Sequence, residues 1–298
     1  MAVRTAAIQR KDPHGCAVKA YPWLGDKPAC TLLEIDCDNA NTTGVSNDIA
    51  TLIAEVDPYR VLYLSFRHCP ALEVPQTIQT LENLKVLRFD NSTIAQWTQE
   101  AAITNTHHKH LVMVLLTRVN LTNIPEGFLD PDFPQGLQDI EFCVTNLSSV
   151  PDQLDKRWPR DMWFTMDHAR FDAIPDTFVR MQPGYLSMFG NQITKIQASA
   201  LLNHAMVELS GNPIEALPDL DPNDWSHASD IRFADTSVRA RPNWMTVDFM
   251  QTHVVVAGNT PLCSDPTALP AGVDREDICV PAAMFDCDSF YDQEWELM

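Results

Sequence analysis

The chain has 298 residues, 45% of them hydrophobic, and its 21 basic against 40 acidic side chains give a formal net charge of −19. That apolar share supports a sizeable core and excludes disorder along the whole length. The negative balance repels phosphate backbones and anionic lipid headgroups, so nucleic acid and membrane surfaces are poor partners. Ten glycines without GxGxxG, GxxxxGK or GxSxG spacing leave phosphate cradles and a nucleophile elbow without a basis, and no cofactor is expected.

The opening "MAVRTAAIQRKD" lacks the apolar core of a signal peptide, which points either to an excised or truncated piece or to a chain that is not secreted. Cys16, Cys30 and Cys37 follow within a short distance. Further on, "LVMVLLTRVNLTNIP" (Leu111–Pro125) spaces aliphatic residues at 1, 4, 6, 9, 11 and 14 and then meets a proline. Its six-residue apolar run is far below the roughly 18 residues of a spanning helix.

The same frame recurs along the chain. It starts weakly at Leu33/Ile35 and Leu62/Leu64, then reads Leu84, Leu87, Phe89, Ser92, Ile94, Trp97. Leu137, Ile140, Phe142, Thr145, Leu147 and Val150 precede Pro151, and Phe164, Met166, Ala169, Phe171 and Ile174 precede Pro175. Leu186, Met188, Asn191, Ile193 and Ile196 follow, then Val207, Leu209, Asn212, Ile214 and Leu217 before Pro218. Ile231, Phe233, Thr236 and Val238 come next, and a shortened frame at Val254, Val256 and Asn259 closes the series. Position 4 therefore returns every 21 to 27 residues, a solenoid period. Positions 4 and 6 alternate with polar or variable neighbours, as in a short half-buried strand. A proline near 15 starts an extended or helical return. One unit cannot cover its own apolar face, so about nine units must stack with their strands in a parallel sheet.

"LVMVLLTRVNLTNIP", "LQDIEFCVTNLSSVP" and "MVELSGNPIEALP" resemble leucine-rich repeats. The resemblance implies an α/β solenoid: a horseshoe with a concave parallel sheet and an irregular or short-helical convex side. More narrowly, "YPWLGDKPAC", "HCPALEVPQTIQTLENL", "NSTIAQW" and "GNTPLCS" are similar to segments of oomycete leucine-rich-repeat proteins, whose repeat domain accompanies a membrane-embedded part. This chain departs from the repeat pattern at position 9, where Asn stands only at 191, 212 and 259, with Val119 and Ala169 unable to hydrogen-bond. The early units are therefore expected to turn less regularly. The expected division is a cysteine cap with a degenerate first repeat over 1–57, repeats over 58–262, and a second cysteine cap with an acidic tail over 263–298.

Eight cysteines cluster toward the ends, with Cys69 and Cys143 inside and Cys263, Cys279 and Cys287 after the repeats. A solenoid exposes its core at both ends, and disulfides staple such caps in oxidising compartments. No CxxC supports zinc. The pairs expected are Cys16 with Cys30, Cys37 with Cys69, and Cys263 with Cys279 or Cys287, leaving Cys143 free or intermolecular. Four sequons, at Asn41, Asn91, Asn120 and Asn146, support the same compartment. Asn120 and Asn146 share position 10, just past the strand.

Function in a solenoid is expected on the concave face. Position 5 places there Arg88, Leu115, Glu141, Thr165, Ser187, Glu208, Arg232 and Val255. Position 7 adds Asp90, Thr117, Cys143, Asp167, Phe189, Ser210, Ala234 and Ala257, and positions 2 and 3 add Met162, Trp163, Tyr185, Met206 and Asp230. Aromatics and methionines ringed by charge suit a protein or peptide contact, although any single one can simply thicken the core. "THHKH", with His107, His108 and His110, lacks metal-ligand spacing and reads as a solvated loop. Asp167 and His168 are sequence neighbours that a strand would point to opposite faces. "DCDSFYDQEWELM" lacks EF-hand spacing and reads as an acidic tail. The expectation is a non-catalytic recognition module without metal, extracellular or at the cell surface; the alternative is a cytoplasmic scaffold.

Overall fold

The computed structural model describes residues 13–20, 27–202, 204–221 and 229–282. Its strands are β1 (Cys16–Ala20), β2 (Ala29–Asp36), β3 (Tyr63–Arg67), β4 (Leu72–Glu73), β5 (Val86–Gln96) and β6 (Met113–Asn120), then β7 (Asp139–Cys143), β8 (Trp163–Asp167), β9 (Tyr185–Ser187), β10 (Met206–Glu208), β11 (Asp230–Arg232) and β12 (Val254–Val256). One open sheet runs β1-β2-β3-β5-β6-β7-β8-β9-β10-β11-β12, with β4 paired to β5 alongside. Among the described residues only the terminal β1–β2 pair is antiparallel; β2 onward is parallel.

The register is the repeat frame made physical. Leu33, Leu64, Leu87, Val114, Ile140, Phe164, Leu186, Val207, Ile231 and Val255 lie side by side across the sheet and point into the core. The last frame is corrected by one residue. Val255, not Val254, aligns with Ile231, so Val255 and Ala257 face the core and Val254 and Val256 do not. Asn259 shifts likewise, from position 9 to the exposed position 8.

Each strand ends in the same turn. Position 8 has a left-handed backbone in nine consecutive units: His68, Asn91, Arg118, Val144, His168, Gly190, Gly211, Asp235 and Asn259. The conformation costs a non-glycine residue on the order of 1 kcal/mol, and the ladder holds it. The position 8 amide donates to the position 7 carbonyl of the next unit, as from Val144 to Asp167 (3.0 Å), His168 to Phe189 (2.8 Å) and Gly211 to Ala234 (2.9 Å). The early units thus turn as regularly as the late ones. Val119 and Ala169 are tolerated at position 9 because backbone pairing carries the turn.

Pro75, Pro125 and Pro175 immediately precede helical turns at Gln76–Thr80, Glu126–Phe128 and Asp176–Met181, where a fixed φ and a missing N–H do no harm. These returns pack behind the sheet and enclose an aromatic spine. Phe66 stacks on Phe89 (5.3 Å), Phe89 meets Trp97 (5.1 Å) and Trp97 meets Phe128 (4.6 Å). Phe128, Phe142 and Trp158 carry the contact on to Phe164 and Phe178. A Cβ on Gly127 would stand 2.1 Å from the Trp97 ring nitrogen, so this return admits only glycine.

Both ends are covalently closed. Cys16–Cys30 ties β1 to β2, Cys37–Cys69 ties the cap to the next unit, and Cys263–Cys279 closes the far end. Ala257 and Gly258 donate to the carbonyls of Ile278 and Val280 (both 2.8 Å), so the terminal strand edge is covered by the cap backbone. Of the two states expected for Cys143, free or intermolecular, the free one is overturned: the residue is disulfide-bonded. Cys287 lies outside the described residues. "THHKH" is also corrected. His108 is completely buried, its Nδ1 accepting from the Thr104 amide (3.3 Å) and its Nε2 lying 3.1 Å from the Ile78 carbonyl.

Candidate interaction surface on the concave face

The concave side chains come from positions 3, 5 and 7, which alternate with the buried 4 and 6 along every strand. Trp163, Tyr185 and Met206 are adjacent in register on the position 3 row, with Asp139 before them and Asp230 after. Trp163 is 55% exposed, and its ring lies 4.7 Å from that of Tyr185. Met162, one residue earlier, turns the other way and is buried in the core, so it is withdrawn from the surface.

Toward the strand ends the face becomes acidic and closed. Asp167 is buried and accepts the Ser187 hydroxyl (2.6 Å) and the Phe189 amide (2.8 Å). Burial pushes its pKa up to about 8 against those two hydrogen bonds, and the neighbouring Glu208 and Glu141 add to the rise. Burial also raises Asp139, with the charge of Glu141 beside it, and raises Glu208, whose Oε1 accepts the Ser210 amide at 2.7 Å. Tyr185 is raised for the same reason. Arg232 is committed to Asp230 by two bonds of 2.9 and 2.7 Å. Thr165 is buried at position 5 between them. His168, in the left-handed turn after Asp167, meets the Phe189 ring edge-on at 5.1 Å and does not bond Asp167 as an acid–base pair would.

A second, basic cluster occupies the other half of the face. The buried Asp90 carboxylate is shared by Arg67 (3.4 Å), Arg118 (3.5 Å) and Arg88 (3.9 Å). Arg67 also reaches Glu34 (3.4 Å). Three guanidinium groups thus converge on two carboxylates in a chain that is otherwise strongly acidic. Arg88 was legible as a concave position. Arg67 was not, because its frame was weak, and Arg118 reaches the face only through the left-handed turn at position 8, which arginine does not announce.

Asn41, Asn91 and Asn120 are exposed, while Asn146 is half-buried and donates its amide to the Asn120 side chain. Among the described residues, no helix is long and apolar enough to cross a membrane.

No protein-family profile matches the chain, and no curated protein is significantly similar to it. Solved structures are similar in fold. A leucine-rich-repeat protein of Leptospira interrogans superposes with a TM-score of 0.57 at 16% identity, over 72% of this chain and 52% of that one. Drosophila Toll, solved in its complex with Spätzle, gives 0.56 at 14% identity, over 74% and 30%. The Listeria monocytogenes protein InlP gives 0.50 at 13%, over 75% and 60%. The chain therefore matches less than two thirds of the length of each of these structures. Together with the open parallel sheet and its repeated turn, the likeness shows that this chain has the leucine-rich-repeat fold.

Proposed function

We propose that this chain is a non-catalytic recognition module that binds a protein or peptide along the position 3 edge of its concave face, outside the reducing cytosol. The observation that carries the reading is the Trp163–Tyr185 pair, an exposed indole packed on a half-buried tyrosine and flanked by Met206 and carboxyl groups. Rigid aromatics supply contact area at little cost in side-chain entropy, and they recur as binding anchors. Glu141 and Glu208 behind the platform favour a ligand with basic side chains. Toll, which shares the fold, was solved with a protein bound. The three cap disulfides favour an extracellular or lumenal setting over a cytoplasmic scaffold. Attachment to a membrane-embedded partner domain, as in the oomycete proteins, belongs to the same reading. An enzyme is disfavoured, since no nucleophile with a base and oxyanion donors converges among the described residues.

The test is selection of a displayed random-peptide library on the folded chain, repeated on Trp163→Ala and Tyr185→Ala variants with unchanged circular dichroism. Enriched peptides should carry Lys or Arg and lose binding to both variants. Peptides that bind the variants as well as the parent would place the contact elsewhere.

A further inference from the structure

The two aspartates that bracket Trp163, Tyr185 and Met206 on the position 3 row are differently satisfied. On β11 the position 3 carboxylate is Asp230, and Arg232 at position 5 of the same strand holds it by bonds of 2.9 and 2.7 Å. On β7 the position 3 carboxylate is Asp139, and position 5 is Glu141. Residues two apart on a strand share a face, so β7 sets a second acid where β11 sets a guanidinium.

No positive neighbour makes up the difference at Asp139. The residues in register with Asp139 and Glu141 are Met113 and Leu115 on β6 and Trp163 and Thr165 on β8, all uncharged. The Asp139 Oδ1 is shielded from water and has no hydrogen-bond partner among the described residues. An acceptor in that state costs free energy until a donor reaches it. Burial pushes the Asp139 pKa up to about 8, and the charge of Glu141 beside it adds to the rise.

The next residue in the row offers a surface for a flat cation. Row order sets Tyr185 on one side of Trp163 and Asp139 on the other. The indole packs on Tyr185 at 4.7 Å, which leaves its other face toward Asp139, and Trp163 is 55% exposed. Neighbouring strands stand about 4.8 Å apart, and an aromatic face holds a cation within about 6 Å of the ring centroid. One guanidinium therefore spans both groups, paired with the carboxylate and laid against the indole.

We propose that Asp139 and Trp163, with Glu141 behind them, form the seat for a single arginine side chain of the protein or peptide ligand. The inference rests on the recognition reading and names the ligand group that the Trp163 edge selects. Asp139 is half-buried rather than enclosed, so the guanidinium enters from the open face and takes on β7 the place that Arg232 takes on β11. It displaces the proton that burial keeps on Asp139, and that proton leaves to solvent. A lysine fits less well, because its ammonium is a compact point charge that cannot pair in a fork and stack at once.

The test uses the full chain, isotopically labelled, with acetyl-arginine amide as the probe. The Trp163 indole N–H resonance, identified by its loss in Trp163→Ala, should shift saturably. Acetyl-citrulline amide keeps the shape without the charge, and should bind about tenfold more weakly or worse. Asp139→Asn, with an unchanged thermal melt, should lower the arginine affinity by about the same factor and no longer distinguish the two probes. An unmoved resonance in the parent, equal binding of the two probes, or undiminished arginine binding to Asp139→Asn overturns the proposal. Should Asp139→Asn fail to fold, the contrast between arginine and citrulline on the parent decides. Library-selected peptides that need Trp163 and Tyr185 but bind Asp139→Asn as well as the parent would count against this seat alone. Arginine binding at Trp163 with failed peptide selection would support the seat and count against the peptide reading.

Discussion

The Asp167 carboxyl group accepts the Ser187 hydroxyl across the β8–β9 boundary at 2.6 Å, wholly inside the protein. Burial outweighs that bond and pushes its pKa up to about 8, whereas the unfolded residue ionises near 3.8. Between about pH 4 and 8 the folded chain holds a proton that the unfolded chain has lost. The contribution is therefore full at the acid end of the window and declines as pH rises, by up to about 1.4 kcal/mol per unit. Asp167→Asn keeps the acceptor and removes the titration. Urea midpoints measured from pH 4 to 8 should show the variant gaining on the parent as pH rises, and a constant gap would mean that the carboxyl is ionised throughout.

His108 runs the opposite way. Desolvation depresses its pKa from 6.5 to about 4, despite its bond to the Ile78 carbonyl. A histidine buried neutral binds its proton more weakly than the unfolded one. Its stabilisation is present above about pH 6.5 and is lost as pH falls toward 4. His108→Gln should be less stable than the parent at pH 7.5, and the deficit should shrink by roughly 1 kcal/mol or more by pH 5. A deficit that does not change with pH would place the acid sensitivity in other groups.

What the sequence made legible follows the chemistry of alternation. From Leu84 to Val238 the pattern of positions 4 and 6 placed every strand in its observed register, because one face is apolar and the other is not. The frame slipped at Val254-Val255-Val256, where three identical residues leave no alternation to read. Met162 and Trp163 were grouped together, although neighbours on a strand face opposite ways. The burial of His108 is not legible in the sequence, because nothing in "THHKH" reveals the turn at Thr104 that closes over it. Each acidic side chain of the cluster is visible in the repeat frame, but its burial depends on packing between units, which no single repeat encodes.

Glycan occupancy checks the compartment. Asn41, Asn91 and Asn120 are exposed, while the Asn146 amide is already donated to Asn120. Expression through a eukaryotic secretory host should give an intact mass that falls on enzymatic deglycosylation, with Asn146 the least occupied site. Asparagines that stay bare after passage through that host would favour the cytoplasmic alternative.

The late turns rest on two asparagines whose side chains replace missing backbone partners. Asn212 donates to the carbonyls of Met188 (2.8 Å) and Leu209 (2.9 Å) and accepts the Ile193 amide (3.0 Å), all buried. Asn191 does the same one unit earlier, with Met166, Met188 and Phe171. Both reach the Met188 carbonyl, so the two turns are mechanically joined. Removing the amide strands the Leu209 carbonyl and the Ile193 amide away from water, each costing about 1–3 kcal/mol unless the turn relaxes, while the Met188 carbonyl keeps its bond from Asn191. Asn212→Ala should therefore destabilise by about 2 kcal/mol or more and raise hydrogen exchange at Ile193. Asn259→Gly keeps the left-handed turn and loses only an exposed 2.8 Å bond to Asp235, so it should cost under about 0.5 kcal/mol. Equal losses in the two variants, read from urea midpoints, would mean that these turns are held by the backbone ladder alone, as they are at Val119 and Ala169.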